Sequence, residues 1–251
     1  MDFVKVQGLG NDFIVFDGPY TPDPDDIVRW CDRRRGIGAD GVLVIERISN
    51  SRMSMRYWNA DGGEAEMCGN GLRCVARLAY HRGWMDEQSF IVDTSVGAHP
   101  VTVGASTVRA FVGVPQVHRT DTLAIGGIDV HPMAVGNPHA VTFVDEVDEV
   151  SVHELGPLVE NDPLFPDRTN VEFVQVLEDG GVSARIWERG VGETHASGTG
   201  ATASAYVAHT IKGVAQPVAV HLRGGVLEIS FDDDGAWMDG PAEIVFSGSV
   251  S

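Results

Sequence analysis

Two short glycine-rich segments contain the residues best suited to chemistry. The first is Cys68-Gly-Asn-Gly and the second is Ser197-Gly-Thr-Gly. Apolar residues at helical spacing follow each segment, which predicts that both begin an α-helix. A helix N-terminus presents unpaired backbone N–H groups and a partial positive charge, and glycines let a ligand approach that backbone closely. Two such ends facing one another would bind a carboxylate between them.

Cys68 is the main candidate for a reactive side chain. The field at the start of a helix lowers the pKa of a thiol, so Cys68 would hold a thiolate near neutral pH. The alternative is that Cys68 is buried and inert. Cys74, six residues further along the same predicted helix, points away from the Cys68 face and is predicted to be a core residue, as is Cys31 in the run Val28-Arg-Trp-Cys-Asp. The three cysteines cannot all pair and lack the spacing of a zinc site, so we expect reduced thiols and no metal.

The two glycine-rich segments belong to an internal repeat. Residues 59–84 align without a gap on residues 188–213, and this alignment places Cys68 on Ser197. The period is too long for a solenoid and is typical of a duplicated domain. The alternative is accidental similarity between glycine-rich loops.

Short runs of strand-forming residues accompany each predicted helix. They are residues 13–16, 42–45, 171–177 and 182–187, and Gly, Pro and Asp turns separate them. The helices are predicted to stop at Gly83 and Gly213. Each half of the chain therefore combines strands with one helix that begins at a glycine motif.

Composition restricts the class of ligand. The 251 residues are enough for one large domain or two smaller ones. A formal net charge of −18 argues against nucleic acid and anionic membrane partners. The chain shows no basic leader and no long apolar run, which predicts a cytoplasmic protein. Lys5 and Lys212 are its only lysines, and neither setting indicates a Schiff base with pyridoxal phosphate.

Seven ordered segments resemble the diaminopimelate epimerase family of cofactor-independent amino-acid epimerases. They are Gly8-Leu-Gly-Asn-Asp-Phe13, Arg35-Gly-Ile-Gly-Ala-Asp-Gly41, Asn59-Ala-Asp-Gly, Met67-Cys-Gly-Asn-Gly-Leu-Arg-Cys74, Gly136-Asn-Pro-His139, Arg168-Thr-Asn170 and Glu188-Arg-Gly-Val-Gly-Glu-Thr194. The resemblance extends over nearly the whole chain.

The resemblance implies an α/β (α+β) fold of two pseudo-symmetric halves, each a curved, mostly antiparallel sheet around a central helix. Residues 1–114 with 241–251 would form the half with Cys68, and residues 115–240 the half with Ser197. The active site is expected in the cleft between the halves. A homodimer is expected by analogy with the family.

The family also implies a mechanism that needs no cofactor. A thiolate removes the proton from one face of the α-carbon, and an opposing thiol delivers a proton to the other face, so the centre inverts. The helix N-termini would stabilise the charge that spreads onto the α-carboxylate. The residues implied there are Gly69, Asn70, Gly198 and Thr199.

Other residues are implied to hold a small amino-acid substrate. Carried over position by position, the contacts are Asn11, Asn59, Asn137, Asn170, Glu188 and Arg189. Arginine suits a carboxylate because its planar fork bonds both oxygens, and Glu188 would accept from an ammonium group. His139 would orient or polarise a thiol, or serve only as a structural histidine.

Ser197 departs from the family, which has its second cysteine there. A hydroxyl is a much weaker acid than a thiol, so Ser197 is expected to be a poor proton acceptor from carbon and is better suited to donate. Three explanations stay open: an introduced change, an asymmetric site in which His195 assists Ser197, or a relative that binds without catalysis.

The alternatives to diaminopimelate epimerisation are a related racemase or one-base isomerase with another substrate, and a non-catalytic amino-acid binder.

Overall fold

A computed structural model describes residues 1–117 and 121–250 and divides the chain into two compact units. The first unit contains Met1–Phe111 and the segment from Asp239 onward, and the second contains Val112–Met238. In the described residues, no helix is both long enough and apolar enough to span a membrane.

The helices and strands follow in chain order. They are β1 (Asp2–Gly8), β2 (Asn11–Asp17), α1 (Pro24–Cys31), β3 (Gly41–Ser49), β4 (Arg52–Asn59), β5 (Glu64–Ala65), α2 (Gly69–His81), β6 (Ser89–Thr94), β7 (Gly97–Val103), β8 (Thr107–Gly113), β9 (Leu123–Ile125), β10 (Ile128–Val135), β11 (Asn137–Phe143), a 3₁₀ helix (Val147–Glu149), α3 (Val152–Glu160), β12 (Asn170–Val176), β13 (Val182–Glu188), β14 (Gly192–Thr194), α4 (Gly198–Lys212), β15 (Val218–Leu222), β16 (Gly225–Asp232), β17 (Gly235–Pro241) and β18 (Glu243–Ser249).

The two units repeat one strand pattern. In the first, β2 runs parallel to β3, β3 antiparallel to β4, and β4 parallel to β6. In the second, β11 runs parallel to β12, β12 antiparallel to β13, and β13 parallel to β15. The order of elements from β1 to β8 recurs from β10 to β17. The duplicated fold predicted from the sequence is therefore confirmed.

One helix lies at the centre of each unit. Helix α2 contacts β1, β2, β4, β7 and β18, and α4 contacts strands β10 to β13, β15 and β16. Helix α4 is built mainly from small residues, including buried Ala201, Ala203, Ala205 and Ala208. A helix that is apolar on all sides is buried rather than amphipathic. The predicted α/β fold with a sheet around a central helix is confirmed.

The helix ends agree with the sequence pattern. Helix α4 is followed by Gly213, which has a φ of 72° and closes the helix in the left-handed conformation. Helix α2 ends at His81, and Gly83 two residues later has a φ of 68°. The predicted strand runs lie in β2, β3, β12 and β13, with Leu177 one residue beyond β12.

Candidate active-site residues

Cys68 and Ser197 occupy the same position in the two units. Each is the residue immediately before its helix, with φ and ψ of −136° and 115° at Cys68 and −131° and 124° at Ser197. The Cys68 sulfur accepts from Gly71 N at 3.4 Å, and the Ser197 hydroxyl accepts from Gly200 N at 3.3 Å. Both side chains are thus held at a helix N-terminus, where the backbone field favours negative charge.

A network of hydrogen-bonded side chains surrounds Cys68. The thiol donates to Asn11 Oδ1 at 3.7 Å, and Asn70 Nδ2 donates to the same oxygen at 3.1 Å. Asn11 Nδ2 donates in turn to Asp40 Oδ2 at 2.8 Å. Because Arg73 donates to Asn70 Oδ1 at 2.8 Å, the Asn70 amide can only turn its NH₂ toward Asn11. The structure thus brings three of the predicted residues together: Asn11, Cys68 and Asn70.

Arg73 is a feature of this site that the sequence analysis missed. It lies fully buried one turn into α2, and it donates to the carbonyl oxygen of Pro241 at 3.4 Å. Burial lowers the pKa of Arg73, while its interaction with Cys74 and Cys68 acts in the opposite direction. A buried cation beside a thiol favours the thiolate. The signal was present in the segment from Met67 to Cys74, as an arginine among helical core positions.

The other two cysteines have no such setting. Burial raises the pKa of Cys31 to about 11 and that of Cys74 to about 12. Cys74 packs in the main core of the first unit, and Cys31 packs in a smaller cluster beside α1. The expectation that both are core residues is confirmed.

His139 lies in a buried polar group of the second unit. One ring nitrogen, Nε2, lies 2.8 Å from Asn137 Oδ1, and the other, Nδ1, lies 2.7 Å from Glu172 Oε1. Both His139 and Glu172 are inaccessible to solvent. Burial raises the pKa of Glu172, and His139 counteracts this rise. The second carboxylate oxygen, Oε2, has no hydrogen-bond partner among the described residues.

Glu172 reaches the first turn of α4. A Cβ built on Gly200 would lie 3.1 Å from Glu172 Oε1, so the carboxylate lies directly against the turn that follows Ser197. Glu172 was not among the predicted site residues, because it lies within a strand run whose apolar residues dominate the pattern. A single acidic residue in such a run is the signal that would have found it.

Asn170 and Arg189 are joined through backbone groups. Arg189 N donates to Asn170 Oδ1 at 2.9 Å, and Asn170 Nδ2 donates to Pro138 O at 2.9 Å. The guanidinium of Arg189 donates to Asp167 O at 2.7 Å. The segment before β12 and the turn after β13 are therefore tied to each other.

The remaining predicted residues lie at the ends of elements. Glu188 ends β13 and accepts from Thr194 Oγ1 at 2.7 Å, while Asn59 ends β4 and is exposed. Thr199 is half-buried in the first turn of α4. His195 is exposed, in the segment that leads to Ser197. Gly69 and Gly198 are the first residues of α2 and α4.

Comparison with known proteins identifies relatives over the full length of the chain. The family model described as "Diaminopimelate epimerase" matches residues 3–117 and 133–245. A diaminopimelate epimerase from Desulforudis audaxviator is 41% identical over 273 residues, covering 99% of this chain and 98% of the relative. One from Pelotomaculum thermopropionicum is 42% identical over 275 residues, with coverages of 99% and 98%.

Solved structures share the fold at much lower identity. A phenazine biosynthesis protein of the PhzF family from Bacillus anthracis has a TM-score of 0.75 at 15% identity, covering 100% of this chain and 99% of that one. A probable proline racemase from Agrobacterium radiobacter has a TM-score of 0.74 at 15% identity, with coverages of 100% and 92%. At this identity the likeness bears on the fold alone.

Proposed function

We propose a function from one premise: the chain belongs to the diaminopimelate epimerase family. It is an isomerase that interconverts L,L-diaminopimelate and meso-diaminopimelate at one α-carbon. The product serves lysine and peptidoglycan precursor synthesis. The substrate is a small amino acid, and the proposed chemistry uses only side chains and backbone groups of the chain.

The proposed reaction moves one proton off the α-carbon and another onto its opposite face. The Cys68 thiolate accepts the α-proton, and the bond electrons stay on carbon as a carbanion that delocalises into the α-carboxylate. The Ser197 hydroxyl delivers a proton to the other face. The backbone N–H groups at the starts of α2 and α4, from Gly69, Asn70, Gly198 and Thr199, stabilise the carboxylate charge. Turnover is completed when solvent reprotonates Ser197 and deprotonates Cys68.

The observation that carries this proposal is the matched capping geometry of Cys68 and Ser197. Inversion needs two acid–base groups that reach one carbon from opposite faces, and a duplicated fold supplies two side chains at equivalent positions. The backbone angles of the two caps differ by less than the ordinary scatter of a regular element. The full-length identity to diaminopimelate epimerases gives independent support.

We propose that six polar residues hold the amino-acid groups of the substrate. They are Asn11, Asn59, Asn137, Asn170, Glu188 and Arg189. What supports this assignment is that Asn11 contacts the Cys68 thiol and that Asn170 bonds the backbone of Arg189. His139 is proposed to orient Asn137 through the bond from its Nε2.

Ser197 favours a second candidate, a one-base isomerase or an amino-acid binder. A serine hydroxyl without a base to activate it does not accept a proton from carbon. We therefore propose an asymmetric site, in which Cys68 is the effective base and Ser197 is mainly a proton donor. Because the reverse reaction needs Ser197 as the base and the equilibrium constant links the two directions, this asymmetry predicts slow turnover in both directions.

We further propose a cytoplasmic homodimer with domains at residues 1–114 with 241–251 and at residues 115–240. Family membership supports the location and the assembly. The structure divides into compact units whose boundaries follow Phe111 and Met238, and these boundaries lie close to the proposed domain boundaries.

Incubation of the purified chain with L,L-diaminopimelate tests the function. Chiral chromatography should show meso-diaminopimelate accumulating with time, while histidine, proline and lysine stay unchanged. Inversion of one of those amino acids and not of diaminopimelate would replace the proposal with a related racemase.

A further inference from the structure

We infer that Glu160 is a positioning residue. It holds Asn170 and Arg189 in the relative position that substrate binding needs. This inference rests on the proposed function, because it assigns those two residues to ligand binding. Glu160 is the last residue of α3 and lies outside the seven short segments on which the resemblance to the family was based.

Three segments donate hydrogen bonds to the Glu160 carboxylate. Trp187 Nε1 donates to Oε2 at 2.7 Å, while Gly190 N and Arg168 Nη1 donate to Oε1 at 2.9 Å and 3.0 Å. Only 6% of the Glu160 side chain is exposed. A buried carboxylate is stable only when such donors replace water. Glu160 is therefore a junction between α3, the loop before β12 and the turn after β13.

The donors flank the two proposed substrate contacts. Arg168 lies two residues before Asn170, and Trp187 and Gly190 lie on either side of Arg189. Arg189 N and Asn170 Oδ1 form their own bond at 2.9 Å, so the two segments meet both at this bond and at Glu160. A shift of either segment would move the Asn170 amide relative to the Arg189 guanidinium.

The backbone at Arg168 also needs this support. Its φ is 57°, in the left-handed region that a non-glycine residue adopts at some cost. Strained conformations of this kind persist where surrounding contacts hold them. The ion pair to Glu160 is such a contact, because it anchors the guanidinium of a side chain that is 53% exposed.

Glu160→Gln removes the charge and leaves only one oxygen to accept. At least one of the three donors then loses its partner, and the turn bearing Arg189 is released. We expect KM for diaminopimelate to rise on the order of tenfold, since a lost charged hydrogen bond carries that effect. The kcat should change less than about threefold, because the groups on the α-carbon are untouched. Trp187 fluorescence should shift, since its indole N–H loses an anionic acceptor.

Two control variants on the same helix separate positioning from general stability. Val159→Ala removes buried volume next to Glu160, and Glu154→Gln removes an exposed charge. Val159→Ala should lower the unfolding temperature and leave KM within about twofold of the wild type. Glu154→Gln should change neither quantity. If Val159→Ala raises KM as much as Glu160→Gln does, Glu160 acts only through stability and the inference fails.

A second variant keeps the inference testable if Glu160→Gln does not fold. Arg168→Gly keeps the left-handed backbone without strain and removes the ion pair, so it should raise KM by a smaller factor. An unchanged KM in every Glu160 or Arg168 variant that folds would overturn the inference. Wild-type turnover of diaminopimelate is measured first, and its absence would count against the proposed function instead.

Discussion

Cys68 and Ser197 show how one local geometry can hold two groups of very different acidity. Both accept a hydrogen bond from the backbone N–H three residues ahead, at 3.4 Å and 3.3 Å. The helix field acts on each, but only a thiol has a pKa close enough to neutrality for that field to ionise it. The serine therefore limits the chemistry while leaving the helix start intact.

Ser197→Cys should raise the rate of epimerisation by roughly 10²-fold, because it supplies a second acid–base group of suitable pKa. The rate of meso-diaminopimelate formation measures this. Ser204→Cys is the matched control, since it places a thiol at another buried serine of α4 and should leave the rate unchanged. An equal rate of epimerisation in Ser197→Cys and wild type would show that a second thiol at this position does not take part in the reaction.

Cys68 should react with iodoacetamide at neutral pH at least about tenfold faster than Cys31 and Cys74. Cys68 is half-buried at a helix start, whereas burial raises the pKa of Cys31 to about 11 and that of Cys74 to about 12. Mass spectrometry of peptides from the native chain measures the three rates. Substrate should protect Cys68. Equal labelling of Cys31 would contradict an activated Cys68.

The residues at the helix starts could be predicted from the sequence, but the buried charged residues could not. Cys68 and Ser197 could be identified because local glycine and apolar spacing sets a helix start. Arg73, Glu160 and Glu172 could not, since their burial depends on partners brought together by the fold. Glu172 meets His139 from 33 residues away, and Glu160 meets Trp187 from 27.

Among the elements, the short strand β14 connects the segment that leads to Ser197 with the rest of the second unit. Its Glu193 accepts from Arg185 of β13 at 2.7 Å and 3.1 Å. Arg185 also donates to Val150 O at 2.9 Å, just before α3. The apolar run at residues 182–187 predicted β13, but β14 has only Gly192–Thr194 and lacks such a pattern. Pairing with β13 makes it a strand.

Glu193→Gln should lower the free energy of unfolding by about 1–3 kcal/mol at neutral pH. Burial alone would raise the pKa of Glu193, but Arg185, with Arg223 and His153, lowers it below its usual value of 4.5. The ionised carboxylate thus stabilises the fold fully when the pH is above the usual pKa of 4.5. This contribution disappears as the pH falls through the lowered pKa of the folded state.

Urea titrations of wild type and Glu193→Gln across the acidic range measure this effect. The difference in unfolding free energy between the two proteins should be largest near neutral pH and should shrink below pH 4.5. Glu228→Gln, on the exposed face of β16, is the control and should show no comparable difference. A difference that grows on acidification would contradict the assigned ion pair.

At the scale of the whole molecule, one fold occurs twice with different buried charges. In the first unit the buried Arg73 donates to Asn70 and interacts electrostatically with Cys68, while the corresponding position of α4 is Thr202, whose hydroxyl donates to Gly198 O. The second unit has Glu172 and His139 instead. A cation favours a thiolate, whereas a buried carboxyl favours groups that keep a proton. The different buried charges of the two units are consistent with the unequal acid–base roles proposed for Cys68 and Ser197.

Incubation with L,L-diaminopimelate in deuterium oxide, with exchange at the α-carbon and configuration followed together, tests the proposed roles of Cys68 and Ser197 most directly. We expect meso-diaminopimelate to form with one deuterium at the inverted carbon, and Cys68→Ala to abolish both exchange and inversion. Exchange with retained configuration would indicate a one-base site. Binding of diaminopimelate with no exchange at all would contradict the proposal that Cys68 and Ser197 invert this carbon.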